Sequence, residues 1–493
     1  MAYKKSQVDI YDESHKKSKT YNTENFKVQG HILHFLTPDR LYPIDSVKAS
    51  WKFAIAGDSQ GYDNGINSII LSELTSEFIN HCVDCVLFCG DLVWCNNVNQ
   101  LESELIAWRR IMEPVYDANI PVYPCRGNHE SWGTVAAWQN IFNDLPDNGP
   151  SDEKHMTYSA THKNALFIAV DEFVNPHRVN QGRLDTQLVK NEEPFVFIFG
   201  HEPAFHAFHY DCLDDYPANR DRFWNSIKKV GGRTYFSGHD HFFDHAHVDD
   251  GDGNPDNDVH QFIIGTAGAP FYTFSPPYDG DNGHYTLYQL YHEKKYGYLL
   301  VEVNDLTVDL IRMQRDTNDL QDIGIYEPND TWGFSVQPLI LLSPNGGDSI
   351  VAGSVSNITW KTYESVIIKD ILIEYSTDNG RNWNHIDTVP NTGFYDWNIP
   401  IINSSKCLIR ITDSTNTNIR DTSYKVFIIS YPRDFEPDGD MDFNDFAVFA
   451  KSWKSRIGKP NYNPKCDIPD SGYGVIDHRD LFVFSKYWLA EKK

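Results

Sequence analysis

The chain has 493 residues, too many for one hydrophobic core, so roughly two to four domains are expected. Its hydrophobic content of 40% and aromatic content of 14% are sufficient for packed domains and argue against global disorder. With 69 acidic and 43 basic residues, the formal charge of −26 argues against non-specific binding to nucleic acids and against a nucleic-acid scaffold.

Residues 1–48 form a polar N-terminal leader. The chain has no apolar run of about eighteen residues, so no transmembrane helix is expected. The leader also lacks the apolar segment of a secretory signal. Two alternatives remain at this point: a protein that stays inside the cell, or a mature or trimmed form of a secreted one.

Residues 49–332 contain short apolar runs that end in Gly, Asp or His, such as WKFAIAGDSQ and CVLFCGDLVW. Between these two runs, GINSIILSELTSEFINHC carries apolar residues at helical spacing. Alternation of strand, loop and helix predicts an α/β fold, in which the loops beyond the strand ends gather the reactive groups.

Five loop motifs in this region carry metal-binding residue types. Each follows an apolar strand-like run, and they are Gly57-Asp58-Ser59-Gln60, Gly90-Asp91, Gly127-Asn128-His129-Glu130, Gly200-His201-Glu202-Pro203 and Gly238-His239-Asp240-His241. Carboxylate, amide and imidazole groups together suit Mn, Fe or Zn better than calcium. A single Gly-Asp is usually a turn and a single His is usually a core residue, but five such motifs in succession indicate a metal centre.

In this motif order, residues 50–310 resemble the calcineurin-like metallophosphoesterase superfamily, which includes the purple acid phosphatases. The resemblance implies a four-layer α/β sandwich, with two β-sheets flanked by helices, and a centre of two transition-metal ions (Mn, Fe or Zn). It implies that Asp91 bridges both ions. The remaining implied ligands are Asp58 and His241 for the first ion and Asn128, His201 and His239 for the second.

His129 is implied to be catalytic rather than a ligand, donating a hydrogen bond or proton to the leaving-group oxygen. The sequence departs from the family at Gln60, where His is usual. A Gln carbonyl can still ligate, but more weakly than imidazole, so weaker binding of the first ion or a preference for Mn or Fe over Zn is expected. Trp94 occupies the position of the ligating Tyr of the purple acid phosphatases, so their purple colour is not expected.

The predicted function is therefore hydrolysis of a phosphomonoester or phosphodiester by a metal-bound hydroxide at a binuclear centre. Two alternatives stay open. The chain could be a catalytically weak binding protein that has lost productive metal binding at Gln60, or a scaffold component recruited through its C-terminal tail.

Residues 333–430 alternate apolar and polar residues at a period of two and are predicted to form an all-β sandwich. The segment resembles the immunoglobulin-like or fibronectin-like modules of secreted bacterial enzymes. Binding to a surface or a glycan is one role for such a module, and spacing the catalytic domain from the tail is the simpler one. The resemblance favours an extracellular, cell-surface or envelope location.

Residues 431–493 contain an internal duplication, in which Asp442, Asp445 and Trp453 recur as Asp477, Asp480 and Trp488. The tail resembles a dockerin domain, which implies a small α-helical, Ca²⁺-binding domain and a cohesin-like partner. A helical hairpin with acidic caps is the alternative. The acidic residues that fall in the register of EF-hand-type loops are Asp434, Glu436, Asp438, Asp440, Asp442 and Asp445 in the first copy and Asp467, Asp477 and Asp480 in the second.

A further acidic run, residues 248–258, places Asp250, Asp252, Asn254 and Asp256 at alternate positions. This spacing suits Ca²⁺, although an exposed acidic loop explains it equally well.

Overall fold

The computed structural model divides into two units, Met1–Val336 and Gln337–Lys493. It describes the backbone of five strands in the leader, and then residues 50–95, 97–273, 277–363, 367–431, 435, 442–468 and 474–485.

The leader contains strands that its polar composition did not predict. They form a two-stranded (β1-β2) and a three-stranded (β3-β4-β5) antiparallel sheet. Their bounds are β1 (Gln7–Tyr11), β2 (Lys17–Asn22), β3 (Phe26–Gln29), β4 (Ile32–Thr37) and β5 (Arg40–Pro43).

The rest of the first unit alternates strands and helices before it ends in five strands. In chain order the elements are β6 (Trp51–Ala56), β7 (Gln60–Asp63), α1 (Ser68–Asn80), β8 (Cys85–Cys89), α2 (Leu101–Asp117), β9 (Val122–Cys125), α3 (Asn128–Ser131), α4 (Val135–Ile141), β10 (Tyr158–His162), β11 (Ala165–Ala169), α5 (Gln181–Val189), β12 (Phe195–Phe199), a 3₁₀ turn (Leu213–Asp215), α6 (Pro217–Lys229), β13 (Thr234–Ser237), β14 (Phe243–Asp249), a 3₁₀ turn (Pro255–Asn257), β15 (Val259–Ile264), β16 (Thr286–Glu293), β17 (Gly297–Asn304), β18 (Thr307–Arg315) and β19 (Tyr326–Ser335).

Two sheets form the centre of this unit, in the strand orders β19-β18-β17-β6-β8-β9 and β10-β11-β12-β13-β15-β14-β16. They pack face to face, since Phe53 of β6 contacts Phe167 of β11 and Phe197 of β12 at ring-centroid distances of 5.0 and 4.9 Å. Alternate residues of β11, Leu166 and Ile168, point away from this core toward helices α5 and α6. Successive side chains of a strand point to opposite faces of the sheet, and all five residues of β11 are buried, so both faces of this sheet are covered.

Helices cover the outer face of the other sheet as well. Phe88 of β8 meets Trp108 of α2 edge to face at 5.3 Å, and α1 buries Ile70, Leu74 and Phe78 in the same core. Helices on both outer faces of two packed sheets make a four-layer α/β sandwich. The mixed α/β character predicted for this region is confirmed.

The second unit consists of a β-rich part and two helices. Its strands and helices are β20 (Leu339–Ser343), β21 (Ser349–Val351), β22 (Val355–Thr362), β23 (Asp370–Ser376), β24 (Asn384–Pro390), β25 (Phe394–Asn398), β26 (Ser404–Asp413), β27 (Arg420–Thr422), β28 (Phe427–Ser430), α7 (Phe443–Lys451) and α8 (His478–Ser485). One sheet has the order β20-β22-β25 and the other β21-β28-β26-β23-β24, with β27 paired to β26. A β-rich region after the α/β unit is confirmed.

The two sheets of the second unit share one hydrophobic core. Ile358 and Trp360 of β22 pack in the same cluster as Ile373 of β23 and Ile409 of β26. Phe449 of α7 belongs to this cluster too.

Within the described part of the chain, none of the helices is long and apolar enough to cross a membrane.

Candidate metal centre

The five loop motifs lie at the carboxyl ends of β6, β8, β9, β12 and β13. Within each sheet these strands run parallel, so their ends meet at one edge. Backbone hydrogen bonds join neighbouring loops: Asp58 N donates to Gly90 O at 3.0 Å, and Gly238 N donates to His201 O at 2.9 Å. The topology therefore brings together residues that are far apart in sequence.

Asp58, Asp91 and His241 form one buried group, whose ligand atoms lie within 4.8 Å of one another. His241 Nε2 is 3.6 Å from Asp58 Oδ1. The side chain of Gln60 joins this group, since its Nε2 is 2.9 Å from Asp91 Oδ2 and 3.1 Å from His241 Nε2. The residues predicted for the first ion are thus assembled in one place.

Asn128, His201 and His239 form an adjoining group. Asn128 Oδ1 is 2.9 Å from His201 Nε2 and 3.1 Å from His239 Nδ1. His201 Nε2 is also 3.5 Å from Asp91 Oδ1. The two carboxylate oxygens of Asp91 therefore face different groups, Oδ2 the first and Oδ1 the second, which is the arrangement that a bridging ligand requires.

The orientation of two imidazoles suits metal ligation. His201 Nδ1 lies 2.8 Å from Cys89 O, and His241 Nδ1 lies 2.8 Å from Pro270 O. A carbonyl oxygen only accepts, so each Nδ1 carries the proton and donates it. Burial lowers the pKa of both rings to about 4, so each Nε2 presents a free lone pair to the centre at neutral pH.

Two features indicate that these groups fit cations. Asp58 is fully buried, and burial together with the nearby charge of Asp91 raises the pKa of its carboxyl group. A cation between the two carboxylates would therefore offset the unfavourable free energy of keeping two negative charges close together in a buried site. Gln60 Oε1 is buried and has no hydrogen-bond partner among the described residues. Rotating the amide by half a turn would direct this oxygen to where Nε2 now faces Asp91 and His241. The donor set of oxygen and imidazole nitrogen suits Mn, Fe or Zn.

The backbone around these ligands is tightly constrained. Asp58, Asp91 and His239 adopt positive φ values of 61°, 48° and 69°, which are unfavourable for non-glycine residues and recur at functional sites. A Cβ on Gly238 would lie 2.1 Å from Asp58 Oδ2, and one on Gly127 would lie 2.0 Å from Asp91 Oδ1. The glycines of the motifs therefore let the backbone approach the two carboxylates closely.

His129 lies at the edge of the centre. Its Nδ1 hydrogen-bonds to the carbonyl oxygen of Trp94, and its Nε2 is 3.8 Å from Asp91 Oδ2. Its backbone N donates to Asp91 Oδ1 at 3.1 Å. The ring is thus near the metal-ligating groups without belonging to either of them, and its side chain remains 12% exposed. A catalytic role for it stays a prediction.

Several residues that support the centre were missed in the sequence. Glu130 accepts hydrogen bonds from the backbone N–H groups of Asp91, Val93 and Gly127 and so fixes the loop that carries Asp91. Glu172 accepts from His201 N. Glu130 follows His129 within a ligand motif and could have been noticed, but Glu172 has no such signal because it follows β11, which carries no motif.

Tyr272 was also missed. Its ring stacks on that of His241 at 4.0 Å, and its Oη is 3.2 Å from His241 Nε2. The residue belongs to a loop between β15 and β16, and no spacing in the sequence relates it to the ligand motifs.

In the tail, Asp434, Glu436, Asp438 and Asp440 lie outside the described residues. The later acidic residues of the two copies make matching contacts. Asp445 accepts from Phe435 N at 2.5 Å and Asp442 N at 2.9 Å; Asp480 accepts from Ile468 N and Asp477 N, both at 2.8 Å. Asp467 accepts from the hydroxyl of Tyr462 at 2.5 Å. The duplication in the sequence is therefore matched by a structural repeat.

In the acidic run, the ligand atoms of Asp249, Asp250 and Asp258 lie within 4.8 Å of one another. The ammonium group of Lys228 contacts both Asp250 and Asp252. This lysine already compensates part of the acidic charge, so the run is compatible with a loop that holds no cation.

A two-sheet α/β domain with carboxylates and imidazoles gathered at its strand ends defines a class of metal-binding domain. Within that class, residues 52–243 match the family model of the calcineurin-like phosphoesterases. The matched region extends from β6 to the start of β14 and includes all seven predicted ligands, from Asp58 to His241. A comparison with curated proteins gave no match.

Proposed function

We propose that this protein hydrolyses a phosphomonoester or phosphodiester at a centre of two divalent transition-metal ions. The observation that carries the proposal is the position of Asp91, whose two oxygens face two separate groups of ligand residues. Asp58, Gln60 and His241 would hold one ion with Asp91, and Asn128, His201 and His239 the other. Two such ions would activate water at neutral pH and neutralise charge on the phosphoryl group.

Groups of the chain itself would orient the metal ligands and protonate the leaving group. Cys89 O and Pro270 O fix His201 and His241 in the ligating tautomer. His129, when both ring nitrogens are protonated, would donate the Nε2 proton to the leaving-group oxygen, since its Nδ1–H is held by Trp94 O and its Nε2 faces the centre. The rigid backbone at Asp58 and Asp91 would hold the ligands in place before substrate binds.

The decisive experiment combines metal analysis with aryl phosphate and bis-aryl phosphate assays after reconstitution with Mn, Fe or Zn. Two metals per chain together with turnover of either substrate support the proposal. One metal and no turnover would instead support the alternative, a binding protein of this fold. The relative rates on the two substrates distinguish a monoesterase from a diesterase.

Replacement of Gln60 tests the weakest point of the centre. We expect Gln60→His to tighten binding of the first ion by about tenfold or more, because imidazole is the stronger ligand for these metals. Gln60→Ala should leave one ion per chain at metal concentrations that saturate the wild type. The measurement is a competition titration with a chromogenic chelator. Gln139→His on α4, outside the centre, is the matched control and should leave the affinity for both metal ions unchanged. Unchanged metal affinity in both Gln60 variants would remove Gln60 from the ligand set.

For the tail we propose a Ca²⁺-binding, dockerin-like domain that docks onto a cohesin-like partner. The repeated contacts of Asp445 and Asp480 support the duplication on which this proposal rests. We expect millimolar Ca²⁺, but not Mg²⁺, to raise the unfolding temperature of the tail, because a bound ion stabilises only the folded state. The measurement is differential scanning calorimetry of the full chain, with Asp442→Ala and Asp477→Ala as variants. An identical trace with and without Ca²⁺ would exclude calcium sites in the tail.

We further propose that the protein acts outside the cell or at its surface, and that the β-rich region between the catalytic domain and the tail serves as a spacer. Deletion of residues 431–493 separates hydrolysis from recruitment. Loss of localisation with full hydrolysis supports a recruited enzyme. Loss of localisation from a chain that never hydrolyses phosphoesters supports a scaffold component.

A further inference from the structure

Two indole rings lie next to His129. The ring centroid of His129 lies 4.8 Å from that of Trp94 and 5.6 Å from that of Trp132. Trp132 ends the short helix α3, directly after the motif that supplies Asn128 and His129. The two indoles therefore lie beside the residue that is proposed to protonate the leaving group.

Trp132 is 60% exposed, whereas Trp108, Trp138 and Trp224 of the same unit are fully buried. It is not part of any hydrophobic core cluster of the described residues. Packing in these clusters therefore does not account for this indole, and its apolar face is accessible to a ligand beside His129.

Other groups around the centre limit what this surface would bind. Tyr272 stacks on His241, and Phe208 stacks on Tyr272 at 4.9 Å, so aromatic rings also lie beside the first group of ligand residues. Asp211, with a side chain 59% exposed, lies 3.6 Å from His239 Nε2. An exposed carboxylate beside the centre repels a leaving group that carries further negative charge, whereas the aromatic rings favour a planar apolar one.

We propose that Trp132 is a specificity-determining residue that stacks on a planar, uncharged aromatic ring in the leaving group of the substrate. This inference rests on the proposed function and deepens it, because it assigns the substrate class to phosphoesters of ring-bearing alcohols or phenols. Stacking on the indole would hold the leaving-group oxygen near His129 Nε2.

The test uses two substrates that differ only in the ring: benzyl phosphate and cyclohexylmethyl phosphate, or their methyl diesters if the enzyme is a diesterase. Both are alcohol esters of similar size, but only the benzyl ring is planar and aromatic. We expect Trp132→Ala to lower kcat/KM for the benzyl ester by about tenfold, mainly through KM, and for the cyclohexylmethyl ester by less than about threefold. Trp132→Phe should restore the benzyl preference.

Tyr288→Ala is the matched control, because Tyr288 is 49% exposed and stacks on His247, outside the centre. Tyr288→Ala should leave kcat/KM for both the benzyl and the cyclohexylmethyl ester unchanged. Equal losses on both esters in Trp132→Ala, or no loss on either, would overturn the stacking role while leaving hydrolysis established. Failure of the metal-loaded wild type to hydrolyse any phosphoester would instead overturn the proposed function, so the two failures are distinguishable.

Discussion

Asp91→Asn is expected to lower kcat/KM by at least about a thousandfold, equivalent to about 4 kcal/mol of transition-state stabilisation, and to reduce bound metal below two ions per chain. The reason lies in the contacts of the carboxylate. Oδ2 faces Gln60 of the first group at 2.9 Å, and Oδ1 lies 3.5 Å from His201 of the second. An amide has one oxygen and no charge, so it cannot serve both ions in the same way.

The variant should nevertheless fold. The Asn side chain has the same shape, and its oxygen can still accept the hydrogen bond that His129 N donates to Asp91 at 3.1 Å. The measurements are metal per chain by elemental analysis, steady-state kinetics and thermal unfolding. Asp144→Asn is the control: it makes the same change in a carboxylate that pairs with Arg109 and whose side chain is 48% exposed. Two ions per chain and activity within tenfold of the wild type in Asp91→Asn would contradict a bridging role.

His129→Ala is expected to slow hydrolysis of an alkyl phosphoester by about a hundredfold to a thousandfold, but that of a 4-nitrophenyl ester by only about tenfold. A poor leaving group needs a proton as it departs, whereas nitrophenolate is stable without one. Metal content should not change, because the closest side-chain nitrogen of His129 is 3.8 Å from Asp91 and the backbone contact to Asp91 survives in alanine.

His129→Gln refines this test because it retains an N–H donor but cannot transfer a proton. If His129 acts as an acid, the glutamine variant should be nearly as slow on alkyl esters as the alanine variant. If it only donates a hydrogen bond, glutamine should recover most of the rate. Equal slowing of good and poor leaving groups in both variants would exclude His129 from the acid role. Trp132→Ala should instead slow the aromatic 4-nitrophenyl ester more than the alkyl ester, the reverse of the pattern in His129→Ala, which separates binding from proton transfer.

The sequence allowed much of the α/β unit to be predicted. Apolar runs such as CVLFC have both faces buried, and the Gly-Asp and Gly-His pairs that follow them lie at strand ends, because a chain leaving a sheet must turn there. The types and order of the ligand residues were therefore readable. The five strands of the leader were not, because their polar composition gives no clear period of two.

The sequence by itself predicted which residues form the ligand set, and it determined that each of them follows a strand. Only the tertiary structure decided that Nε2 of Gln60 and Nε2 of His241, separated by 181 positions, lie 3.1 Å apart. It also decided that Glu172 and Tyr272 contact His201 and His241, and that Trp132 lies beside His129. The physical reason is that the patterns readable in a sequence are local, whereas the site is formed by contacts between distant segments. Hydrophobic period and turn chemistry act over a few residues, whereas these contacts depend on strand order and on the packing of one sheet against the other.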